Sequence, residues 1–126
     1  MEKLNIDASF KKLEQDEKSD IRILELIKSG TTSFFIAELK PGKKLPAHYH
    51  KEGSEIYHVL TGKGKMELGT LSGEEVLWQK SLDFTPNDIL EVKPSIVHRL
   101  ANDGDENLRI VFITPPSHLG DDRIFI

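Results

Sequence analysis

Short apolar runs separated by turn-forming residues dominate the chain after about residue 20. Runs such as "EIYHVLT" and "LRIVFIT" are rich in β-branched and aromatic residues, which favour strands. Gly, Pro, Asn and Asp interrupt them at roughly 8–12-residue intervals, a spacing typical of an all-β sandwich or barrel. Because no stretch of helical periodicity and length breaks the series, we expect an all-β fold, a small single-domain β-barrel.

The chain of 126 residues has the size of one domain with one hydrophobic core. Residues 1–20 are polar and of mixed charge, with Phe10 and Leu13 at helical spacing, and they predict an N-terminal arm or a short helix. We place the barrel core at about residues 21–114 and a C-terminal tail at residues 115–126, beginning with two prolines. No internal repeat or linker divides the sequence.

Composition disfavours several classes of partner. The net charge of −4 provides neither the basic stripe that binds nucleic acid nor a polybasic patch for a membrane surface. No apolar run approaches the roughly 20 residues of a membrane-spanning helix. The N-terminal residues lack the apolar segment and cleavage site of a secretory signal, so we expect a cytoplasmic protein. Its expected partner is a small molecule.

Histidines and a glutamate cluster in the strand-like runs. The chain has no cysteine, so a metal ion would have to be bound by His, Asp or Glu. His48 and His50 are two residues apart and would share one face of a strand. Glu55 follows after a short turn, and His98 lies in the apolar run "IVHRL". If all four face one interior they form a divalent-metal site, whereas the His pair alone could equally lie in an exposed loop.

The segment "GKKLPAHYHKEGSEIYHVLTG" resembles the first signature of the cupin superfamily in all its spacings. "HRLAN" resembles the end of the second signature, with His98 and Asn102 in the matching positions. The resemblance covers about residues 35–113 and implies a jelly-roll β-barrel, commonly a homodimer. It also implies one divalent transition metal ion (Zn, Mn, Fe, Ni, Co or Cu). The ligands carried over from the family pattern are His48, His50, Glu55 and His98.

The second signature departs from the usual cupin pattern. Asn87 stands where cupins have Gly, and Asn is the residue other than Gly that best tolerates a left-handed turn. The usual Pro and the next Gly align with Lys93 and Ser95, and a proline follows one place late as Pro94. We therefore expect a rebuilt turn before His98.

Five other residues have weaker assignments. Tyr57 shares the face of Glu55 and could line the pocket or support the ligands by a hydrogen bond, or it could be a core residue. Asn102 could contact the pocket, although a turn position suits it better. His58 should face away from Glu55, His118 should be solvated in the tail, and Trp78 should be a core or dimer anchor.

Function is less constrained, because cupins include isomerases, decarboxylases, dioxygenases and binding modules. "NDGDENLRIVFITPPSHLGDDRIF" resembles the end of the cupin domain in type II mannose-6-phosphate isomerases. This favours a sugar-phosphate isomerase in which the ion acts as a Lewis acid. The sequence reveals neither the general base nor the cationic residue that a sugar phosphate requires. A metal-dependent dioxygenase or other oxidoreductase, and a small-molecule-binding protein without catalysis, remain alternatives.

Overall fold

Eleven strands make up most of residues 3–126, which a computed structural model describes. In chain order they are β1 (Glu14–Gln15), β2 (Arg22–Lys28), β3 (Ser33–Leu39), β4 (Lys44–Tyr49), β5 (Glu55–Thr61), β6 (Gly64–Ser72), β7 (Glu75–Phe84), β8 (Ile89–Val92), β9 (Val97–Ala101), β10 (Leu108–Thr114) and β11 (Ile124–Phe125). They form two antiparallel sheets, with strand orders β1-β2-β3-β10-β5-β8 and β11-β4-β9-β6-β7. The all-β jelly-roll prediction is confirmed.

The helical segments are short and lie near the two ends of the chain. Helix α1 (Ile6–Ser9) begins where Asn5 Oδ1 accepts a hydrogen bond from the Ala8 backbone N–H at 3.0 Å. A 3₁₀ turn, Phe10–Lys12, follows, and a second 3₁₀ turn, Pro116–Leu119, lies in the tail. Within residues 3–126, no helix has both the length and the apolar character to cross a membrane.

The main core lies between the two sheets, where alternate residues of each strand point inward. Its largest fully buried apolar side chains are Leu39, Val59, Met66, Leu100, Leu108 and Ile110. A second cluster lies on the outer face of the six-stranded sheet. There Phe10 and Leu13 of the N-terminal segment pack on Ile36 and Val111. The N-terminal arm therefore covers part of the outside of the barrel.

A β-bulge in β4 determines how the first histidines enter the interior. Leu45 is paired with Leu100 and His48 with His98, so three steps along β4 match two along β9. Strict alternation would place Leu45 and His48 on opposite faces. The extra residue lets both point inward, with Leu45 toward the apolar core and His48 toward the polar end.

Two turns use left-handed backbone at residues other than glycine. Asn87 has φ 72° and Ser95 has φ 68°. The expectation for Asn87 is confirmed, and the turn before His98 retains the left-handed backbone where the cupin signature has Gly. The Ser95 N–H donates to the His50 carbonyl at 2.7 Å, so this turn is tied directly to the end of β4.

Candidate metal centre

Three imidazoles are oriented by backbone carbonyl groups. A carbonyl oxygen can only accept, so each Nδ1 carries the hydrogen and each Nε2 presents a lone pair. The three hydrogen bonds run from His48 Nδ1 to Pro46 O (2.8 Å), from His50 Nδ1 to Asp122 O (2.5 Å) and from His98 Nδ1 to Ile96 O (3.0 Å). The same arrangement fixes the tautomer of metal-binding histidines in general.

Glu55 lies among these three rings at the start of β5 and is only 3% exposed. Its Oε1 is 3.1 Å from His98 Nε2, and its Oε2 is 3.6 Å from His50 Nε2. One possible ligand atom from each of His48, His50, Glu55 and His98 lies within 4.8 Å of the others. The structure thus brings all four candidate residues together.

The donor set fits a divalent transition ion. His50 Nε2 is buried and has no hydrogen-bond partner within the described residues. Buried polar atoms are nearly always satisfied, so an unpaired lone pair beside a carboxylate calls for a cation. Three neutral imidazoles and one carboxylate suit Zn, Mn, Fe, Co, Ni or Cu.

Burial sets the protonation of the cluster. It lowers the pKa of His48 to about 3, with the neighbouring His98 adding to the effect. Burial also lowers the pKa of His50, against the opposing charge of Glu55. Burial alone would raise the pKa of Glu55, but the adjacent His118 and His98 rings hold it well below its usual value. A neutral imidazole next to an ionised carboxylate is the state that binds a metal ion.

His118 is a fourth histidine in the same cluster, and the prediction that it is solvated is wrong. The side chain is fully buried, and its ring stacks on His50 with the centroids 3.9 Å apart and the planes at 3°. His118 Nε2 lies 2.5 Å from the Glu52 carbonyl, which leaves Nδ1 free to face Glu55 Oε2 at 3.8 Å. This contact could not be predicted from the sequence, because it depends on the tail folding back over β4.

Several contacts hold the tail over the cluster of candidate ligands. Strand β11 pairs with β4, placing Ile124 opposite Tyr49. The Asp122 carboxylate accepts from the backbone N–H groups of Lys51 (2.7 Å) and Glu52 (3.0 Å). The turn that leads into Glu55 contains Gly53 at φ 73°, where a Cβ would collide with the Pro115 ring. The turn and the tail therefore pack as one unit.

Tyr57 and Asn102 occupy different environments. Tyr57 is buried, lines the cavity beside Glu55, and has its pKa raised well above 10.0 by burial and by the Glu55 charge. Asn102 does not line that cavity. Its side-chain Nδ2 donates to the carbonyls of Leu39 (2.8 Å) and Glu106 (2.7 Å), which secures the connection between β9 and β10.

Two side chains expected outside the cluster do lie outside it. His58 is half-buried on the outer face of β5, opposite in direction to Glu55. Trp78 is 37% exposed and is not part of the interior core, which corrects one of its two expected roles. The Arg99 guanidinium lies 4.1 Å from the centroid of the Trp78 ring.

A small cavity adjoins the cluster between the sheets and the tail. It is lined by His48, His50, Glu55 and Tyr57 together with apolar side chains such as Leu45, and it leaves about 20 Å³ for the centres of water-sized molecules. That is room for roughly one or two waters.

Arg123 also lines this cavity and was not identified from the sequence. Its side chain is 5% exposed and pairs with Asp16 through both terminal nitrogens, at 2.9 and 3.0 Å. The partners are far apart in the chain, so only the folded tail brings this cation to the site. Arg123 is therefore a cationic residue at the cavity that sequence reasoning did not identify.

Comparison with known proteins agrees with this geometry. The cupin domain family matches residues 35–114. Glucose-6-phosphate isomerase of Pyrococcus abyssi is 35% identical over 96 residues, covering 70% of this chain and 49% of the relative. Polyketide synthase CurC of Streptomyces cyaneus is 30% identical over 114 residues, covering 86% of this chain and 68% of the relative. This chain thus spans about half the length of the isomerase it matches.

A solved structure shows the same fold at low sequence identity. It is a Klebsiella pneumoniae protein with a double-stranded β-helix domain, with a TM-score of 0.69 and 18% identity. The match covers 95% of this chain and 94% of the other. With the signature residues gathered at one end of the barrel and the family match over most of the strands, the chain belongs to the cupin family.

Proposed function

We propose that this protein binds one divalent transition metal ion through His48, His50, Glu55 and His98 and acts there on a small molecule. The observation that carries the proposal is the orientation of the three imidazoles. Backbone carbonyls hold each Nδ1–H, and each Nε2 is directed at the cluster around Glu55. A bound ion would supply Lewis acidity to an oxygen atom of the ligand.

The proposed reaction is isomerisation of a sugar phosphate. The matched segment of the Pyrococcus abyssi glucose-6-phosphate isomerase supports it, although that segment is only part of the relative. Within this chain, Tyr57 and the apolar lining would exclude water from the reacting centre. His118 Nδ1, buried and without a partner in the described residues, is the nitrogen placed to accept a proton beside Glu55.

The cavity imposes a condition on this reaction. With the tail packed over β4, about 20 Å³ is free for the centres of water-sized molecules, far less than a sugar phosphate requires. An isomerase would therefore have to shift residues 115–126 far enough to admit its substrate while keeping His118, which belongs to this segment, beside it. Such movements of a covering segment are common in enzymes that exclude water.

The same small, largely apolar cavity favours a second candidate. A metal-dependent dioxygenase or related oxidoreductase binds O₂ and an aromatic or other largely apolar substrate, which suit such a lining, and a substrate as large as catechol also requires the tail to move. Oxygen uptake separates the two reactions, because an isomerase consumes none. Ligand binding with neither turnover nor oxygen uptake would identify a binding protein instead.

Elemental analysis of protein purified without added metal tests the metal centre. We expect about one ion per chain in the native protein and a rise in the thermal midpoint when metal is returned to stripped protein. His98→Ala should abolish both effects. His58→Ala is the matched control, because it removes a histidine on the outer face of β5 and should leave both unchanged. A native protein without metal, unaffected by Mn, Fe, Co, Ni, Cu or Zn, would refute the proposal.

Activity is then assayed on the metal-loaded protein. Interconversion of glucose 6-phosphate and fructose 6-phosphate, and of mannose 6-phosphate and fructose 6-phosphate, should be lost in His98→Ala and kept in His58→Ala. Oxygen uptake with catechol, flavonol and diketone substrates is measured in parallel. Uptake without isomerisation would exclude the isomerase in favour of the oxidoreductase.

A further inference from the structure

Arg123 lines the cavity beside the four-residue cluster and has one unused hydrogen-bond donor. Both terminal nitrogens of its guanidinium are engaged by Asp16. The remaining nitrogen, Nε, is buried and has no acceptor within residues 3–126. A guanidinium has donors along more than one edge, so pairing with one carboxylate leaves the Nε–H available to another group.

A buried charged donor without an acceptor is unusual. Native proteins satisfy nearly all such groups, because removing a donor from water without replacing its hydrogen bond is unfavourable. The Arg123 side chain is 5% exposed, so bulk water does not supply the missing acceptor. A ligand in the cavity could supply it.

The surroundings indicate which kind of acceptor fits. The cavity wall contributes the neutral rings of His48 and His50, the Tyr57 ring and apolar side chains. Glu55 is the acidic residue of this wall, and its Oε1 lies 3.1 Å from His98 Nε2. An anionic oxygen would accept from the Arg123 donor, with Glu55 as the single carboxylate among the described residues of the wall, and charge-assisted hydrogen bonds of this kind are the strong ones.

We propose that Arg123 binds an oxyanion group of the ligand, a carboxylate or phosphate oxygen, through its Nε–H. Arg123 is then a residue that selects for anionic ligands at the metal centre. The location of this subsite rests on the proposed function, because the ligand is taken to lie beside the metal cluster. Asp16 holds the guanidinium in position through its other two nitrogens, and the ligand takes the free edge.

A purely structural role for Arg123 is the competing explanation. The Arg123–Asp16 pair joins the tail to the N-terminal segment, and it could serve only to fasten the tail. Variants on the two sides of the pair separate these roles. Asp16→Asn weakens the fastening but keeps the guanidinium. Arg123→Lys keeps a cation for Asp16 but has no Nε–H, and Arg123→Gln removes the charge altogether.

Titration calorimetry on the full chain, with and without bound metal, is the test. The probes are oxalate and acetate as carboxylates, and inorganic phosphate and glucose 6-phosphate as phosphates. We expect the wild-type protein to bind at least one of these classes, and the class bound more tightly identifies the source of the oxyanion. Arg123→Gln and Arg123→Lys should weaken that binding at least tenfold. Asp16→Asn should bind equally or more tightly, since the amide oxygen still accepts from the guanidinium while one negative charge near the subsite is gone.

Three outcomes would overturn the inference. Equal losses in Asp16→Asn and Arg123→Lys would mean that Arg123 only fastens the tail. Unchanged affinity in both Arg123 variants, or no binding of any probe by the wild-type protein, would exclude the subsite. Metal content, measured on the same samples, reports separately on the metal centre. Protein that holds metal but shows no Arg123-dependent anion binding refutes this inference alone, and protein that binds an anion through Arg123 but takes up none of the metal ions refutes only the metal centre.

Discussion

The two ends of the barrel interior are built from the same strands but are stabilised in different ways. Strand β9 contributes Leu100 to one end and His98 to the other, and β5 contributes Val59 and Glu55 in the same manner. At the apolar end, packing and removal from water supply the stability. At the polar end each buried group needs a specific partner, from the backbone, from the tail or from an ion. The comparison shows that the strand pattern decides what points inward, while local partners decide what can be buried.

Truncation at the apolar end should have the largest effect on folding. Leu100→Ala removes a fully buried side chain and should lower the free energy of unfolding by about 2–5 kcal/mol, through lost burial and the cavity left behind. Urea denaturation of metal-free protein measures it. Leu77→Ala, at a side chain 53% exposed, is the control and should change stability little. Equal losses in the two variants would contradict the assignment of the core.

Lowering the pH should reduce the free energy of unfolding through the buried groups of the polar end. Burial, with the neighbouring His98, lowers the pKa of His48 in the folded state to about 3, against 6.5 in the unfolded chain. Between these values the unfolded state binds a proton that the folded state does not, so stability falls as the pH drops, by up to about 1.4 kcal/mol per pH unit. The depressed pKa of Glu55 adds to the loss below about 4.5.

The raised pKa of His118 acts in the opposite sense, because its contribution is present below 6.5 and is lost as the pH rises. Urea midpoints of metal-free protein between pH 7 and pH 4 test the balance, with His48→Asn as the variant whose slope should be smaller. A midpoint independent of pH, or a slope unchanged by His48→Asn, would contradict the buried neutral imidazole. Metal affinity should also decline at lower pH than the value near 6.5 expected for solvated histidine.

His118→Phe tests the contribution of one tail residue to the polar end alone. A phenyl ring can stack on His50 as the imidazole does, but it cannot donate to the Glu52 carbonyl or face Glu55 with a nitrogen. We expect metal affinity to fall by roughly 10–100-fold, as for other residues that orient ligands. Competition with a chelator of known affinity measures it. His58→Phe should leave the affinity unchanged, and equal effects of the two would remove His118 from the site.

Substitutions in the two left-handed turns should have the smallest effect on stability. Ser95 is tied to His50 at the polar end, and the Asn87 N–H donates to the Val59 carbonyl at the apolar end, 2.8 Å away. Ser95→Gly should stabilise the protein by about 0.5 kcal/mol, because relief of the left-handed conformation exceeds the entropy lost with glycine. Asn87→Gly should stabilise the protein less than Ser95→Gly does, since Asn tolerates the left-handed conformation. Thermal midpoints compare the two, and destabilisation by Ser95→Gly would contradict the strain.

Sequence reasoning located the four candidate ligands because strand alternation and the spacing of the cupin signature are local properties. The bulge in β4 was not predictable, since nothing in "KLPAHY" distinguishes an extra residue from regular alternation. His118 and Arg123 were missed for a different reason. Their partners, Glu52 and Asp16, lie 66 and 107 residues away, and only the pairing of β11 with β4 brings them together.

The three imidazoles do not depend equally on the tail. His48 and His98 are oriented by carbonyls two residues earlier in their own strands, at Pro46 and Ile96. His50 is oriented by Asp122, which belongs to the tail. Docking of the tail and binding of any ligand at His50 Nε2 are therefore linked equilibria, and linkage is reciprocal. Contacts that keep the tail docked stabilise the tautomer of His50 with its hydrogen on Nδ1, which leaves Nε2 free to bind a ligand. A ligand bound at Nε2 stabilises the docked tail in return.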